Sequence, residues 1–345
     1  KSGDIKKNVK QCRGAARALL GGSGIVSLEN YAGIADDINL SDIDTVYCVA
    51  VHHGEQPDFY GFYDDDKAQS VHIIDFVSFQ KLLDELNVLP ELFNYLEDKQ
   101  SLFVDGKQFI LEGGEIDLFA TWIRQERSFS KFAKSNMVAI TEGIYDGLIA
   151  DKQYQTKKKE DAKYGPTWEN LILTCLSLGD HYKLISDEFV DHNSLERRML
   201  GRALHEFLTH AVHNTHPTMR FTHYSLAPVD SPDKLYIFLF HGAVDEPGIR
   251  EARKKSLQII ATIFLSKYAD QYPSLKKIIG IATDSVFTPT SPFDFMYAEV
   301  TPEWIANIKK SDGLEETAKQ LNILQGKLRL MSAYEYSESV DDLGA

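Results

Sequence analysis

Two apolar runs, Lys234–Phe240 (K-L-Y-I-F-L-F) and Lys276–Thr283 (K-K-I-I-G-I-A-T), flank a stretch, Gly248–Tyr272, whose apolar residues recur at helical spacing. Each run is short, apolar and rich in β-formers, which predicts a strand covered on both faces. A long helix between two such strands carries the chain back to the end of the sheet where it started, so the pair is parallel. This βαβ crossover sets the fold class as α/β, mixed α+β, with the crossover in the C-terminal region.

Downstream, Thr301-Pro302-Glu303 offers an N-cap and a proline at the first helical position, and Asp312 opens a helix expected to reach about Met331. The last ten residues are acidic and poor in apolar content, a frayed tail. Upstream, helices are expected around Trp168–Leu178 and over Ser194–His213. The polar, lysine-rich Lys152–Lys163 before Gly165-Pro166 is the best linker candidate. Helical spacing also marks Phe76–Leu86 and Pro90–Leu102. Thr45–Val51 (T-V-Y-C-V-A-V), Asp58–Tyr63 and Ser70–Ile74 are expected as strands, the last two joined across Asp64-Asp65-Asp66. Three consecutive aspartates at such a turn read as a solvated loop before they read as a cation site. The expected organisation is an αβ region over 1–75, a mainly helical region with a linker over 76–160, and a C-terminal α/β domain over 161–345.

With 345 residues, 43% of them hydrophobic, the chain can bury sizeable cores. No stretch approaches the apolar length of a membrane span and no secretory leader is evident, so a soluble, cytoplasmic protein is expected, without membrane contact. Cys12, Cys48 and Cys175 are odd in number and far apart, which suggests neither a disulfide framework nor a thiolate zinc site. The net charge of −14 argues against coating nucleic acid with the whole surface. Its distribution is uneven. Residues 1–20 hold six Lys/Arg and one Asp, net +5, whereas residues 21–120 hold four Lys and twenty Asp/Glu, net −16.

The basic segment is itself patterned. At about 100° per residue, Ile5, Val9, Cys12, Ala16, Leu19 and Leu20 share one arc of a helix over 4–20, and Lys6, Lys10, Arg13 and Arg17 the adjoining arc. Gln11 projects away from the apolar stripe, beside Gly14, Ala15 and Ala18. Gly21-Gly22-Ser23-Gly24 ends the helix; following a helix and lacking a closing Lys-Ser/Thr, it is no phosphate loop.

Lys1-Ser2-Gly3, read as the end of a strand, followed by this basic helix with its Gln, resembles the downstream half of a PD-(D/E)XK nuclease core over about residues 1–60. The remainder is similar to uncharacterised bacterial proteins with nuclease-like N-terminal regions. The resemblance implies a Mg²⁺- or Mn²⁺-dependent nuclease acting on DNA, in bacterial defence or DNA processing. Lys1 would stabilise charge at phosphorus, Gln11 would point at the metal site, and Lys6, Lys10, Arg13 and Arg17 would grip the phosphates. The metal-holding carboxylates of the Glu-x-Lys strand are then expected upstream of Lys1 or on another segment.

Other constellations are weaker. His205-Glu206-Phe207-Leu208-Thr209-His210 is not a zinc-protease motif, because histidines five apart lie about 140° apart on a helix. Glu206, His210 and His213 do share an arc and form a weak metal candidate. His52-His53-Gly54-Glu55 follows a strand, where α/β proteins place functional loops. Arg250, Arg253, Lys254 and Lys255 read as a solvated helix face. A rival reading makes the chain a non-catalytic regulatory protein whose C-terminal half binds a protein partner, a small ligand or a second copy.

Overall fold

The computed structural model describes residues 2–29, 35–53, 63–64, 69–86, 88–104, 108–132, 135–213, 220–226, 233–240, 248–283, 293–311, 313–320 and 323–324. The chain is a mixed α/β protein and divides into two compact units, Lys1–Lys159 and Glu160–Ala333.

The first unit opens with α1 (Ser2–Leu20), a hairpin of β1 (Ile25–Glu29) and β2 (Ala35–Asn39), and then β3 (Cys48–His52), β4 (Tyr63–Asp64) and β5 (Val71–Asp75). The sheet order is β3-β5-β4, with β3 and β5 parallel and Cys48 opposite Val71, and β4 antiparallel to β5. Side chains alternate along a strand, so Val71 and Ile73 meet Ile5, Val9 and Ala16 of α1, together with Cys48 and Ala50. Ile74 faces the opposite layer. That layer contains α2 (Phe76–Glu85), α3 (Leu89–Val104), α4 (Glu115–Arg124) and α5 (Ile144–Ala150). Within it, β6 (Gln108–Leu111) and β7 (Met137–Ile140) form a separate parallel pair whose Val138 and Ile140 are buried. Residues 1–75 and 76–159 therefore belong to one unit.

The lysine-rich stretch expected as a linker is helical. It begins α6 (Lys152–Ser177), within which the boundary between the units falls. The Asp151 side chain accepts from the Tyr154 N–H at 2.9 Å, the Tyr154 hydroxyl donates to Glu85, and Lys158 Nζ lies 2.8 Å from the same carboxylate. One buried tyrosine and one ion pair on a single face are enough to hold a segment whose other face is solvated cation.

The second unit continues with α7 (Lys183–Val190), α8 (Ser194–His213), β8 (Arg220–Leu226), β9 (Lys234–Phe240), α9 (Ile249–Tyr268), β10 (Lys277–Thr283), β11 (Asp294–Glu299), α10 (Pro302–Lys309) and α11 (Leu314–Gln320). Its sheet has the order β11-β10-β9-β8. The crossover is as expected: β9 and β10 are parallel, in register from Lys234 opposite Lys277 to Phe240 opposite Thr283, while β8 and β11 flank them antiparallel. Leu235, Ile237, Leu239 and Ile278 pack with α9; Tyr236, Phe238, Ile279 and Ile281 pack with α6, α7 and α8. Gly280 lets α9 approach, since a Cβ there would stand 2.8 Å from Leu257 Cδ1. Thr301 caps α10 by accepting from the Trp304 N–H at 3.1 Å. The helix expected over 312–331 is shorter, ending at Gln320, and Leu324 has a positive φ of 51°. The expected tail lies outside the described residues.

Candidate functional site

The sequence pattern of α1 is realised in three dimensions. Ile5, Val9 and Ala16 are buried, while Lys6, Lys10 and Arg17 on the adjoining arc, and Lys7, are exposed. The apolar stripe is narrower than expected. Leu19 and Leu20 are exposed and lie outside the buried cluster that α1 forms with β3 and β5. Ser2 and Gly3, expected at the end of a strand, instead form the first turn of α1. Lys1 lies outside the described residues. Gln11 is exposed, as are Gly14, Ala15 and Ala18, so this face points to solvent rather than onto the strands.

Arg13 differs from the other cations. Its Nε donates to the Gln69 carbonyl at 2.9 Å and its Nη2 lies 2.5 Å from Asp64 Oδ1. It clamps α1 to the β4–β5 side of the sheet, and Asp64 serves as its counter-ion; Asp65 and Asp66 lie outside the described residues. Cys48 Sγ donates to the Cys12 carbonyl and Cys12 Sγ to the Val49 carbonyl, with both thiols pushed up by burial. Cys175 is pushed up to about 12 by the same cause. All three cysteines are free, as expected.

Beneath the other face of β5 lies a polar cluster that sequence reasoning missed. Lys99 and Glu115 form an ion pair at 2.6 Å with neither side chain exposed, and the Tyr95 hydroxyl donates to the second Glu115 oxygen at 2.6 Å. Burial pulls the Lys99 ammonium below its ordinary value, opposed by Glu115. His72, 1% exposed, is lowered from 6.5 to about 3 by burial and then by the charge of Lys99. Its ring lies 5.3 Å from that of Tyr63, its cross-strand partner. Lys99 sits on a helix amid polar neighbours, where no local pattern separates a buried lysine from a solvated one.

The other expected sites lie partly outside the described residues. Glu206 pairs with Arg202 at 2.8 Å along α8, and the His210 and His213 side chains lie outside the described residues. His52 ends β3 and the His53 ring lies 4.2 Å from Phe76; Gly54 and Glu55 are outside the described residues. Arg253 is not on a solvated face. It is buried, with Nη1 2.9 Å from Asp294 Oδ2.

A second missed cluster joins His192 Nε2 to the Tyr236 hydroxyl and His192 Nδ1 to Glu196 at 3.1 Å. Glu196 also accepts from the Asn193 N–H while Asn193 Oδ1 accepts from the Glu196 N–H. This reciprocal cap at the start of α8 was legible as Asn193-x-x-Glu196.

Among the described residues no group of three or more His, Cys, Asp or Glu could hold a metal ion, and no helix is long and apolar enough to cross a membrane. Comparison with protein-family models, with curated proteins and with solved structures finds no match to this chain.

Proposed function

We propose that the chain acts on DNA as a nuclease-like protein, its N-terminal unit holding the downstream half of a PD-(D/E)XK-type core and α1 lying against the phosphate backbone. The observation that carries this reading is the division of α1 into a buried stripe on the β3–β5 pair and an exposed row of Lys6, Lys7, Lys10 and Arg17. Cations on a rigid helix position a nucleic acid without reading its bases, and the acidic remainder of the chain keeps contact local. Arg13, tied to Asp64 and Gln69, is a positioning residue that holds the helix in place rather than a phosphate contact.

The donor set for a metal is not met by the described residues, so no step is routed through Mg²⁺ or Mn²⁺. In the proposal Lys1 neutralises charge developing at phosphorus, and the carboxylates come from outside the described residues.

The test is incubation of the full chain with plasmid DNA and Mg²⁺ or Mn²⁺, beside Lys1→Ala. Nicking by the wild type that is lost in the variant is expected. Equal cleavage by both, or none by either, removes the role of Lys1.

A further inference from the structure

The first strand of the hairpin that follows α1 is exposed along its whole length. All five residues of β1 are open to solvent: Ile25, 70% exposed, shares one face of the ribbon with Glu29 and Asp37, Val26 and Leu28 lie on the other, and Leu19 and Leu20 are exposed at the end of α1. Leu40 N–H donates to the Gly24 carbonyl at 2.9 Å, closing the base of the hairpin, but β1 and β2 pair only with each other among the described residues. An isolated two-stranded ribbon is marginal in water and its open edges invite pairing, so this one calls for a cover.

Charge identifies the cover. Residues 21–44 contain Glu29, Asp36, Asp37, Asp42 and Asp44 and no Lys or Arg, a charge of −5, directly after the +5 of residues 1–20. Glu29, Asp37, Asp42 and Asp44 are exposed, matching in number the exposed Lys6, Lys7, Lys10 and Arg17. Among the described residues no ion pair engages any of these eight. Exposed cations on α1 are thus followed along the chain by exposed apolar residues and then by exposed anions. A two-fold arrangement that sets the cationic helix of one copy on the acidic hairpin of the other satisfies both charges twice over.

We infer that a second copy of this chain docks on α1 and the hairpin, as a two-fold dimer in which the acidic hairpin covers the partner's α1. This rests on the proposed function in one respect only: if α1 binds DNA, the hairpin competes with phosphate for the same lysines, and dimerisation holds DNA binding in check.

The experiment is light scattering of the full chain from low to high micromolar concentration, at 0.15 M and 1 M salt, without DNA. A dimer mass that falls towards the monomer at high salt is expected. Ile25→Gln with Leu28→Gln should be monomeric with an unchanged circular dichroism spectrum. Reversing the helix (Lys6→Glu, Lys10→Glu, Arg17→Glu) or the hairpin (Glu29→Lys, Asp37→Lys, Asp42→Lys) should leave each variant monomeric alone, and mixing the two should restore a dimer. That mixed dimer also shows that neither variant is misfolded. A wild-type monomer at every concentration, or a mixture that stays monomeric, overturns the inference.

Addition of duplex DNA separates the two readings. Tighter binding by the Ile25→Gln, Leu28→Gln monomer than by the wild type is expected; no DNA binding by either refutes the proposed function and leaves the dimer standing.

Discussion

The largest sheet of each unit contains a parallel pair, β3–β5 in the first and β9–β10 in the second, and the two differ in what lies against that pair. In the second unit, β9 and β10 present apolar side chains to both covering layers, and each strand has at least five consecutive buried residues. In the first, β5 places Val71 and Ile73 against α1, but His72 on the other side stands over a layer that contains Lys99, Glu115 and Tyr95. The second unit also buries an ion pair, Arg253 with Asp294 of the edge strand β11, and joins Tyr236 of β9 to His192, but the rest of β9 and β10 depends on packing. A sheet backed by a buried ion pair depends on every partner remaining in place and on pH. The first unit, where His72 is held near 3 beside the Lys99–Glu115 pair, should therefore be the more fragile under acid.

The sharpest way to break the comparison is to remove one half of the buried pair. Lys99→Met leaves Glu115 and its charge without a cation in a layer closed to water, at a cost of about 3–5 kcal/mol. Hydrogen exchange read peptide by peptide should show protection lost over α3, α4 and β5 while β9 and β10 keep theirs. Lys99→Met combined with Glu115→Leu should recover most of the loss, and failure of the double variant to recover would assign the pair a role beyond mutual neutralisation.

The second unit should be sensitive to volume as well. A Cβ at Gly201 on α8 would lie 2.5 Å from the Tyr164 carbonyl oxygen, a backbone atom that cannot swing aside. Gly201→Ala is expected to cost about 1–3 kcal/mol by overpacking, read as a lower urea midpoint for peptides of α6 and α8. The loss should be the same at pH 7.5 and 5.5.

Acid should distinguish the units more gently. The folded state holds His72 near 3 whereas an unfolded chain titrates it near 6.5, so between these values the unfolded state binds more protons. Stability from this group is complete above 6.5 and is lost as pH falls towards 3, by about 1.4 kcal/mol at pH 5.5. His72→Phe should flatten the pH dependence of the first unit in this range, whatever its packing does at neutral pH. An unchanged slope would mean that another group carries the acid response.

How far each region could be read from sequence follows the same contrast. The crossover was legible nearly to the residue because its strands are apolar throughout and its helix is long. The helix α1 was legible from its apolar stripe, although the loss of Leu19 and Leu20 from the core was not, since that depends on tertiary packing. The ribbon β1–β2 escaped notice because it is largely exposed, and the edge strands β8 and β11 because they are mixed in composition and lack the alternation that a half-buried strand displays. Lys152–Lys163 reads as a linker because a solvated helix face and a flexible connection have the same composition; Tyr154 is the residue that separates them. Of the candidate site, the exposure of Lys6, Lys10 and Arg17 was legible. The capture of Arg13 by Asp64 was not, because the two lie 51 positions apart in sequence and are joined only by the fold.

The exposed face of α1 is tested by measuring duplex affinity of the full chain across about 50 to 200 mM salt, beside Lys6→Gln, Lys10→Gln, Arg17→Gln. Neutralising three phosphate-binding cations should make the slope of log affinity against log salt shallower by about 2.7, with weaker binding at every salt concentration. The same slope for both proteins, or no binding by the wild type, would contradict the assignment of this helix to DNA.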